Sequence, residues 1–336
     1  MRQQQGQPVL TLLCSQGHQE LNLKKLLLVF VLFSVASVFV GVIDLDIGAV
    51  LAGDAAAIEV LLVSRLPRLL AIWLAGAGLS IAGLIMQQIS QNRFAAPSTT
   101  GTIECAMFGY VLSLVLFGDG SNLLVIFGSA MTGTLLFVRF IHGVQFKNAI
   151  YVPLIGIIFG NVVGAAATFI AYKFDVIQNL SGWEMANFSS ILLGNYELLY
   201  IALPVGVISY WFATRLSAVG MGKDFSINIG LNYRQMVLLG VMLVSVMSAS
   251  VVMIVGMLPF LGLIVPNLVS RYLGDNMRRN IPVTALCGAI LVLVCDVLGR
   301  LIIFPHEVPI TMVISILGGG AFIYLVLKDT PGRQVS

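Results

Sequence analysis

The 336-residue chain is 58% hydrophobic and only 10% charged, and its mean hydropathy is +0.99. Soluble domains carry roughly 25% charged residues, so this chain could not cover its surface in water. The net charge of +3 is too small to indicate a nucleic-acid partner. The apolar runs are continuous and long enough for membrane-spanning helices, and they lack the alternation of an outer-membrane barrel. The composition therefore predicts an all-α polytopic membrane protein.

The polar, Gln-rich residues 1–22 are predicted to form an N-terminal tail, and residues 23–330 to form a single transmembrane domain. Hydropathy predicts ten spans in this domain. They cover approximately 23–43, 66–88, 101–117, 121–141, 149–172, 196–213, 236–256, 258–273, 282–303 and 308–328. The eighth span is short and contains Pro266, so we expect it to be tilted or partly unwound.

The distribution of Lys and Arg predicts the orientation of these spans. If the N-terminus is inside, 14 of the 18 cations fall on the inner face. Both termini are therefore predicted to be cytoplasmic. The cations that remain outside are Arg65, Arg68, Lys173 and Arg300.

The longest amphipathic inner loop is the segment 215–234, between the sixth and seventh spans. Phe225 and Ile229 lie at helical spacing on one face. We expect two short surface helices that are joined at glycines and offer an apolar stripe to a partner; a plain solvated loop is the alternative. The charged and glycine positions of the segment are Arg215, Gly220, Gly222, Lys223, Asp224, Gly230 and Arg234.

Three of the outer cations, Arg65, Arg68 and Arg300, oppose the inside-positive bias. The sequence Arg-Leu-Pro-Arg is predicted to open the second span, because proline suits the first turn of a helix. We expect the three arginines to dock an acidic partner, although binding of lipid phosphate is an alternative. Asp296 lies one turn before Arg300 and is expected to pair with it without neutralising the other two arginines. A proton-relay role for Asp296 is less favoured, because no second deep acid is evident in the other spans.

The sequence shows no catalytic set. The three histidines are far apart, and the Walker, HExxH and GxSxG motifs are absent. The four cysteines form no CxxC pair, so they indicate neither a metal site nor a disulfide framework. We therefore expect no enzymatic activity, metal or cofactor in this chain, and any ATP hydrolysis would require a separate chain.

Two long stretches resemble the signatures of the FecCD-type permeases of ATP-binding-cassette (ABC) importers, which take up iron–siderophore complexes, haem and vitamin B12. The first is SRLPRLLAIWLAGAGLSIAGLIMQQISQNRFAAPSTTG, over 64–101. The second, over 257–328, begins MLPFLGLIVPNLVSRYLGDNMRRN. The similarity covers essentially 60–330. It departs from the family pattern at Asn267, where a histidine usually follows the proline of the eighth span.

The resemblance implies the fold of a type II ABC importer permease, with ten spans per subunit. It also implies a second permease subunit, identical or paralogous, a cytoplasmic ABC ATPase dimer, and a periplasmic or lipid-anchored binding protein. By position, Arg65, Arg68 and Arg300 match arginines that receive glutamates of the binding protein. The segment 215–234 matches the helices that couple to the ATPase.

The resemblance further implies that the fifth span, the segment 182–194 and the tenth span line the central path. Within that segment, Trp183, Asn187, Phe188 and Ser189 suit the weak contacts that a bulky ligand needs. The segment 182–200 resembles the version in catecholate-siderophore permeases more than the vitamin B12 version.

These features predict a permease in the bacterial cytoplasmic membrane, surrounded by lipid, that imports ferric siderophores, with a catecholate favoured. The same machine carrying vitamin B12 or haem is the nearest alternative. An ion-coupled secondary transporter is a different class and would need a buried acid near the midplane, for which Asp296 is the candidate. An intramembrane enzyme is disfavoured by the missing catalytic residues.

Overall fold

The computed structural model describes residues 23–41, 48, 50, 52–143 and 151–329, so the predicted tail over 1–22 lies outside the described residues. Within these ranges the protein is built from α-helices, and the only β-type pairing is an isolated bridge between Ile303 and His306. The helices are α1 (Leu23–Phe39), α2 (Ala55–Ile89), α3 (Thr102–Phe117), α4 (Leu123–Gly143), α5 (Tyr151–Lys173), α6 (Glu197–Trp211), α7 (Ala213–Gly220), α8 (Lys223–Asn228), α9 (Tyr233–Val255), α10 (Leu261–Leu273), α11 (Met277–Leu301) and α12 (Ile310–Asp329).

Each of the ten predicted spans contains one of these helices. In the described part of the chain, α2, α4, α5, α9 and α11 are long and apolar enough to cross a membrane. The pair α6 and α7 passes the same test as one span that is bent by 68°. The remaining apolar helices, α1, α3, α10 and α12, are shorter or less uniformly apolar.

The centre of the bundle is α2, which packs against α9, α10 and α11 and is almost entirely buried along its membrane part. Small residues permit this close approach. A Cβ atom on Gly83 would lie 1.8 Å from the carbonyl oxygen of Gly262 in α10, and one on Gly76 would lie 2.7 Å from that of Gly288 in α11. The small-residue face of α2 is therefore the contact surface on which the other central helices pack.

The prediction that the Arg65–Arg68 sequence opens the second span is wrong. The helix begins at Ala55, where the Asp54 side chain accepts a hydrogen bond from the backbone N–H of Ala56. It then continues through a π-helical turn, Leu61–Arg65, without a break. The alanine-rich segment before the turn favours helix, and the candidate span accordingly runs from Ala55 to Ile89. Neither arginine therefore lies at the positive end of a helix dipole.

The predicted irregularity of the eighth span is confirmed at its start. Residues 256–260 are not helical, and Gly256 (φ +97°) and Phe260 (φ +62°) have left-handed backbone conformations. Pro266 lies inside α10. The Asn267 amide donates hydrogen bonds of 2.8 Å to the carbonyls of Leu263 and Arg93, so Asn267 fastens α10 to the turn that follows α2.

The loops that were predicted to be cytoplasmic meet at one end of the bundle, which we call the inner face. There Arg93 pairs with Asp275 at 2.9 Å, and His142 Nε2 lies 3.0 Å from the Ile89 carbonyl. The opposite end is called the outer face. At the outer face the Leu193 N–H donates to the Val63 carbonyl at 3.0 Å.

Candidate functional site

Five charged residues form a compact group at the outer face, which we call the outer ionic cluster: Arg65, Arg68, Asp296, Arg300 and Glu307. The Arg68 guanidinium lies between two carboxylates. Its Nη2 is 2.7 Å from Asp296 Oδ1, and its Nη1 is 2.9 Å from Glu307 Oε1. A second bond of 2.9 Å joins Nη2 to Glu307 Oε2, so Glu307 binds the guanidinium with both oxygens. Such two-pronged pairs fix geometry as well as charge.

Arg300 is more deeply placed than Arg68, with only 3% of its surface exposed. Its Nη2 donates to Asp296, which confirms the predicted pair within α11. The same guanidinium donates to Ser37 Oγ at 2.6 Å and to the Ser37 carbonyl at 2.9 Å. Arg300 therefore ties the outer end of α11 to the end of α1.

Arg65 contacts the chain just after α1. Its Nη1 donates to the Val40 carbonyl at 2.8 Å, and the guanidinium fills the space beside Gly41, where a Cβ atom would lie 1.8 Å from Nη1. The side chain is buried within the subunit. Arg65 and Arg300 thus reach the same short stretch from two different helices.

The expectation that Asp296 would leave the other arginines unneutralised is wrong for Arg68. Asp296 binds Arg68 and Arg300 together, and Glu307 binds Arg68 again. Three guanidinium groups and two carboxylates leave one net positive charge in the cluster. Sequence reasoning missed Glu307. The sequence feature that could have identified it is its position: an acid in the outer turn between the ninth and tenth spans lies at the predicted depth of Arg68.

The segment 215–234 forms the two short helices that the glycine pattern predicts. The first, α7, ends at Gly220, and α8 follows from Lys223. Gly222 (φ +110°) and Gly230 (φ +79°) take left-handed conformations at the two turns. Glycine adopts a positive φ without steric cost, so the helices of the segment can end at these two positions.

The apolar stripe of the segment faces away from the bundle. Phe225 is 44% exposed and Ile229 is 52% exposed, although both are large hydrophobic side chains. The charged residues of the segment point elsewhere: the Arg215 guanidinium lies over the Phe212 ring at 5.3 Å, whereas Lys223 and Arg234 line a cavity at the inner face. Gly220 packs against Gln88 of α2. The segment therefore divides into an exposed apolar surface and a bundle-facing side.

Two of the predicted path-lining residues lie inside the subunit. Trp183 is 6% exposed and packs on the Tyr110 ring, with ring centroids 5.1 Å apart, and Phe188 is 2% exposed in the main core. Neither side chain lines an open path in this conformation, because the apolar rings gain more by burial beside α3, α9 and α2. The expectation for Trp183 and Phe188 is therefore corrected.

Asn187 and Ser189, by contrast, are exposed. Asn187 Oδ1 accepts from the Ser189 N–H at 2.8 Å and from its hydroxyl at 2.6 Å. The backbone of this turn is fixed to the start of the irregular stretch before α10, since the Asn187 N–H donates to the Val255 carbonyl at 3.0 Å. On α5, Asn161 is also exposed near the middle of the predicted fifth span, and Thr168 is exposed closer to the outer end of that span, where its hydroxyl donates to the Gly164 carbonyl at 2.9 Å. Polar side chains exposed at this depth are typical of a path and not of a lipid-facing surface.

A second acid within the spans escaped the sequence reasoning. Glu104 lies in the first turn of α3, and its Oε2 is buried without a hydrogen-bond partner among the described residues. A Cβ atom on Gly160 of α5 would lie 3.0 Å from its carboxyl carbon. Glu104 lies three residues from the inner end of the predicted third span, so the expectation that no second acid lies deep in another span still stands.

Ten apolar helices with the buried α2 at their centre, an ionic cluster at one end and the exposed segment 215–234 at the other define a multi-pass membrane protein. Comparison with known proteins agrees with this class. The profile of the FecCD transport family matches residues 26–328. The chain belongs to the FecCD transport family, and it is a permease with the fold of an ABC importer subunit.

Several relatives match over most of their length. The petrobactin import system permease of Bacillus subtilis is 45% identical over 311 residues, which cover 92% of this chain and 98% of that protein. The ferric-anguibactin transport system permease of Vibrio anguillarum is 39% identical over 80% of this chain and 86% of that protein. A solved structure of a metal-chelate-type ABC transporter in an inward-facing conformation is similar with a TM-score of 0.73 and 26% identity, covering 91% of this chain and 98% of that one.

Proposed function

We propose that this chain is the membrane-spanning permease subunit of an ATP-driven importer that moves ferric siderophores from a binding protein across the bacterial cytoplasmic membrane. The observation that carries the proposal is the family match over residues 26–328, which includes both the outer ionic cluster and the segment 215–234, which we call the coupling segment. Both termini are assigned to the cytoplasm on the inside-positive distribution of Lys and Arg.

A catecholate is the siderophore class that we favour. The names of similar proteins include petrobactin permeases of Bacillus subtilis and Bacillus anthracis and the ferric enterobactin permease of Escherichia coli, which fit a catecholate. The resemblance of segment 182–200 to the catecholate version of the family supports the same choice. Vitamin B12 and haem remain the alternatives within the family.

The proposed partner at the inner face is a dimer of ATPase chains that binds the coupling segment. Phe225 and Ile229 supply the contact, because exposed apolar side chains outside the bilayer are stabilised when a partner covers them. Gly222 and Gly230 set the angles of α8. The other residues that we assign to coupling are Arg215, Gly220, Lys223, Asp224 and Arg234.

At the outer face we propose that a binding protein docks through Arg65, Arg68 and Arg300. Contacts that these arginines already make within the subunit limit how an incoming carboxylate can bind. Arg68 already binds two carboxylates, and Arg300 is buried on α1. An incoming glutamate must therefore replace Glu307 on Arg68 or use the net positive charge of the cluster. Glu307 is more exposed than Arg68, so it is the partner that can be displaced.

For the path we propose the exposed polar residues of the segment after α5, Asn187 and Ser189, together with Asn161 and Thr168 of α5. Trp183 and Phe188 support this wall from behind. A second permease subunit, identical or paralogous, would supply the opposite wall. The largely exposed surface of α5 is consistent with a helix that faces a path or a second subunit.

Uptake in cells tests the proposed substrate class. A strain that lacks this gene should lose ATP-dependent accumulation of ⁵⁵Fe from a ferric catecholate, and a plasmid copy should restore it. Uptake of vitamin B12 and of haem, measured in the same cells, should not change. Loss of vitamin B12 or haem uptake with intact ferric-catecholate uptake would show that the proposed substrate is wrong. The assignment to the FecCD family would not be affected.

A further inference from the structure

A large cavity opens at the inner face, where the ends of α2 and α4 meet the beginnings of α8 and α9. Its volume is about 1110 Å³, large for a small-molecule site. Its polar lining comes from Ser90, Gln91, Asn92, Arg139, His142, Lys223, Tyr233 and Arg234. Lys223 and Arg234 are also assigned to coupling above, but the proposed transport function gives the cavity itself no occupant.

The charge of the cavity is of one sign. Arg139, Lys223 and Arg234 line it together, and no Asp or Glu lines it among the residues of 52–143 and 151–329. None of these three cations has a carboxylate within salt-bridge distance among the residues that the structure describes. Arg93, at the same face, pairs with Asp275. The three cations therefore repel one another unless an anion joins them.

The wall of the cavity on the membrane side is apolar. It is lined by Leu135 and Val138 of α4 and by Val237 and Leu238 of α9, two helices that pack against each other. Outside the cavity, Leu136 and Phe140 continue an exposed apolar stripe on α4, one turn apart. Leu238 and Met242 form the equivalent stripe on α9. Two apolar stripes thus run from the cationic mouth toward the centre of the predicted spans.

We propose that this cavity binds the head group of an anionic phospholipid, whose acyl chains lie along α4 and α9. A lipid supplies the two features that the cavity presents, an anion and apolar chains joined to it. A free phosphate would satisfy only the charge. Basic pockets between membrane helices on the cytoplasmic side are suited to anionic head groups.

The site would connect lipid binding to the coupling segment. Lys223 begins α8, and Arg234 lies in the first turn of α9, directly after the segment. A head group held by both cations, and by Arg139 of α4, would fix α8 against the bundle. The exposed side chains Phe225 and Ile229 do not line the cavity, so lipid and ATPase would occupy opposite sides of the same segment.

Native mass spectrometry of the purified permease tests the proposal. Delipidated protein is mixed with phosphatidylglycerol, with phosphatidylcholine or with inorganic phosphate, and the retained molecules are counted. We expect phosphatidylglycerol to be retained and phosphatidylcholine to be lost. Arg139→Gln and Arg234→Gln should each weaken retention about fivefold, since a cation near an anionic head group contributes roughly 1 kcal/mol. Arg279→Gln is the matched control, because Arg279 is exposed at the inner face but does not line the cavity.

Equal retention of the two lipids would overturn the proposal, as would an equal effect of Arg279→Gln. Displacement of phosphatidylglycerol by excess inorganic phosphate would assign the cavity to a soluble anion instead. If a variant fails to fold, the unaltered protein still decides the question: its retention of phosphatidylglycerol should fall as salt rises. Retention that does not depend on salt would contradict an electrostatic head-group site.

Discussion

At the scale of residues, the outer ionic cluster shows how buried charge is tolerated in this fold. Every carboxylate in the cluster touches at least one guanidinium, and the guanidinium of Arg300 also binds backbone oxygen. Removing one member of such a group leaves its partners desolvated without compensation. The cluster therefore joins α1, α2 and α11, whether or not it also receives the proposed binding protein.

Replacing Arg300 with Ala should lower the stability of the subunit. The change removes the guanidinium that binds one oxygen of Asp296 and the Ser37 hydroxyl in a buried site. Breaking a buried ion pair typically costs about 3–5 kcal/mol. Thermal unfolding of the detergent-solubilised protein measures the effect. Arg279→Ala, at an exposed position, should leave the transition almost unchanged. An equal midpoint for the two variants would show that the Arg300 contacts contribute little.

Glu307→Gln should strengthen docking of the binding protein. The amide no longer neutralises Arg68, so an incoming carboxylate meets a stronger positive charge and has less to displace. Arg65→Gln should weaken docking. The affinity of the purified binding protein is measured for each permease variant in nanodiscs. The gain in affinity of Glu307→Gln over the unaltered permease should shrink as salt rises.

The control for docking is Lys173→Gln, which removes an outer cation remote in sequence from the cluster. Weaker docking of Glu307→Gln than of the unaltered protein would contradict competition for Arg68. Reversing both Arg65 and Arg68 to Glu is a poor test, because the new acid at 68 would face Asp296 and Glu307 in a buried site. Loss of uptake in that variant would not separate docking from folding.

At the scale of elements, the positions at which α6, α7 and α8 end determine the path of the chain through the coupling segment. The bend of 68° between α6 and α7 turns the chain out of its span direction, and the two left-handed glycines of the segment reverse it around α8. As a result α8 presents apolar side chains to the inner face instead of packing them into the bundle. An exposed apolar element outside the bilayer is expected to have a partner.

The double variant Phe225→Ala and Ile229→Ala should uncouple ATP hydrolysis from transport. Truncation removes the apolar contact with the ATPase but leaves the turns at Gly222 and Gly230 intact. Uptake in vesicles should fall by about tenfold or more, because each side chain is already about half buried and would contribute roughly half of the 1.5–3 kcal/mol that full burial supplies. The amount of permease in the membrane should stay the same.

The matched control for uncoupling is Leu203→Ala with Val207→Ala, two side chains of α6 that are similarly exposed. They lie within a predicted span, so the control variant should transport normally. Normal uptake by the Phe225→Ala and Ile229→Ala double variant, with an unaltered rate of ATP hydrolysis, would show that the segment does not couple the permease to an ATPase.

At the scale of the whole molecule, the parts that hydropathy and local backbone chemistry determine could be predicted. These are the ten apolar helices, the glycine turns of the coupling segment and the irregular start of α10. Contacts between distant parts of the chain could not be predicted. Glu307 and Arg68 are 239 residues apart, and only the fold brings them together. The same limit explains why the burial of Trp183 and Phe188 was not predicted, because an aromatic ring suits the wall of a path as well as a core.

Reconstitution tests the central claim that this chain is one subunit of an ATP-driven machine. The permease is placed in proteoliposomes with its ATPase chain and supplied with binding protein loaded with ferric catecholate. We predict uptake that requires ATP, the ATPase chain and the binding protein together, and no uptake or nucleotide hydrolysis by the permease alone. Accumulation by the isolated chain, driven by a proton or sodium gradient without ATP, would contradict the account and favour a secondary transporter.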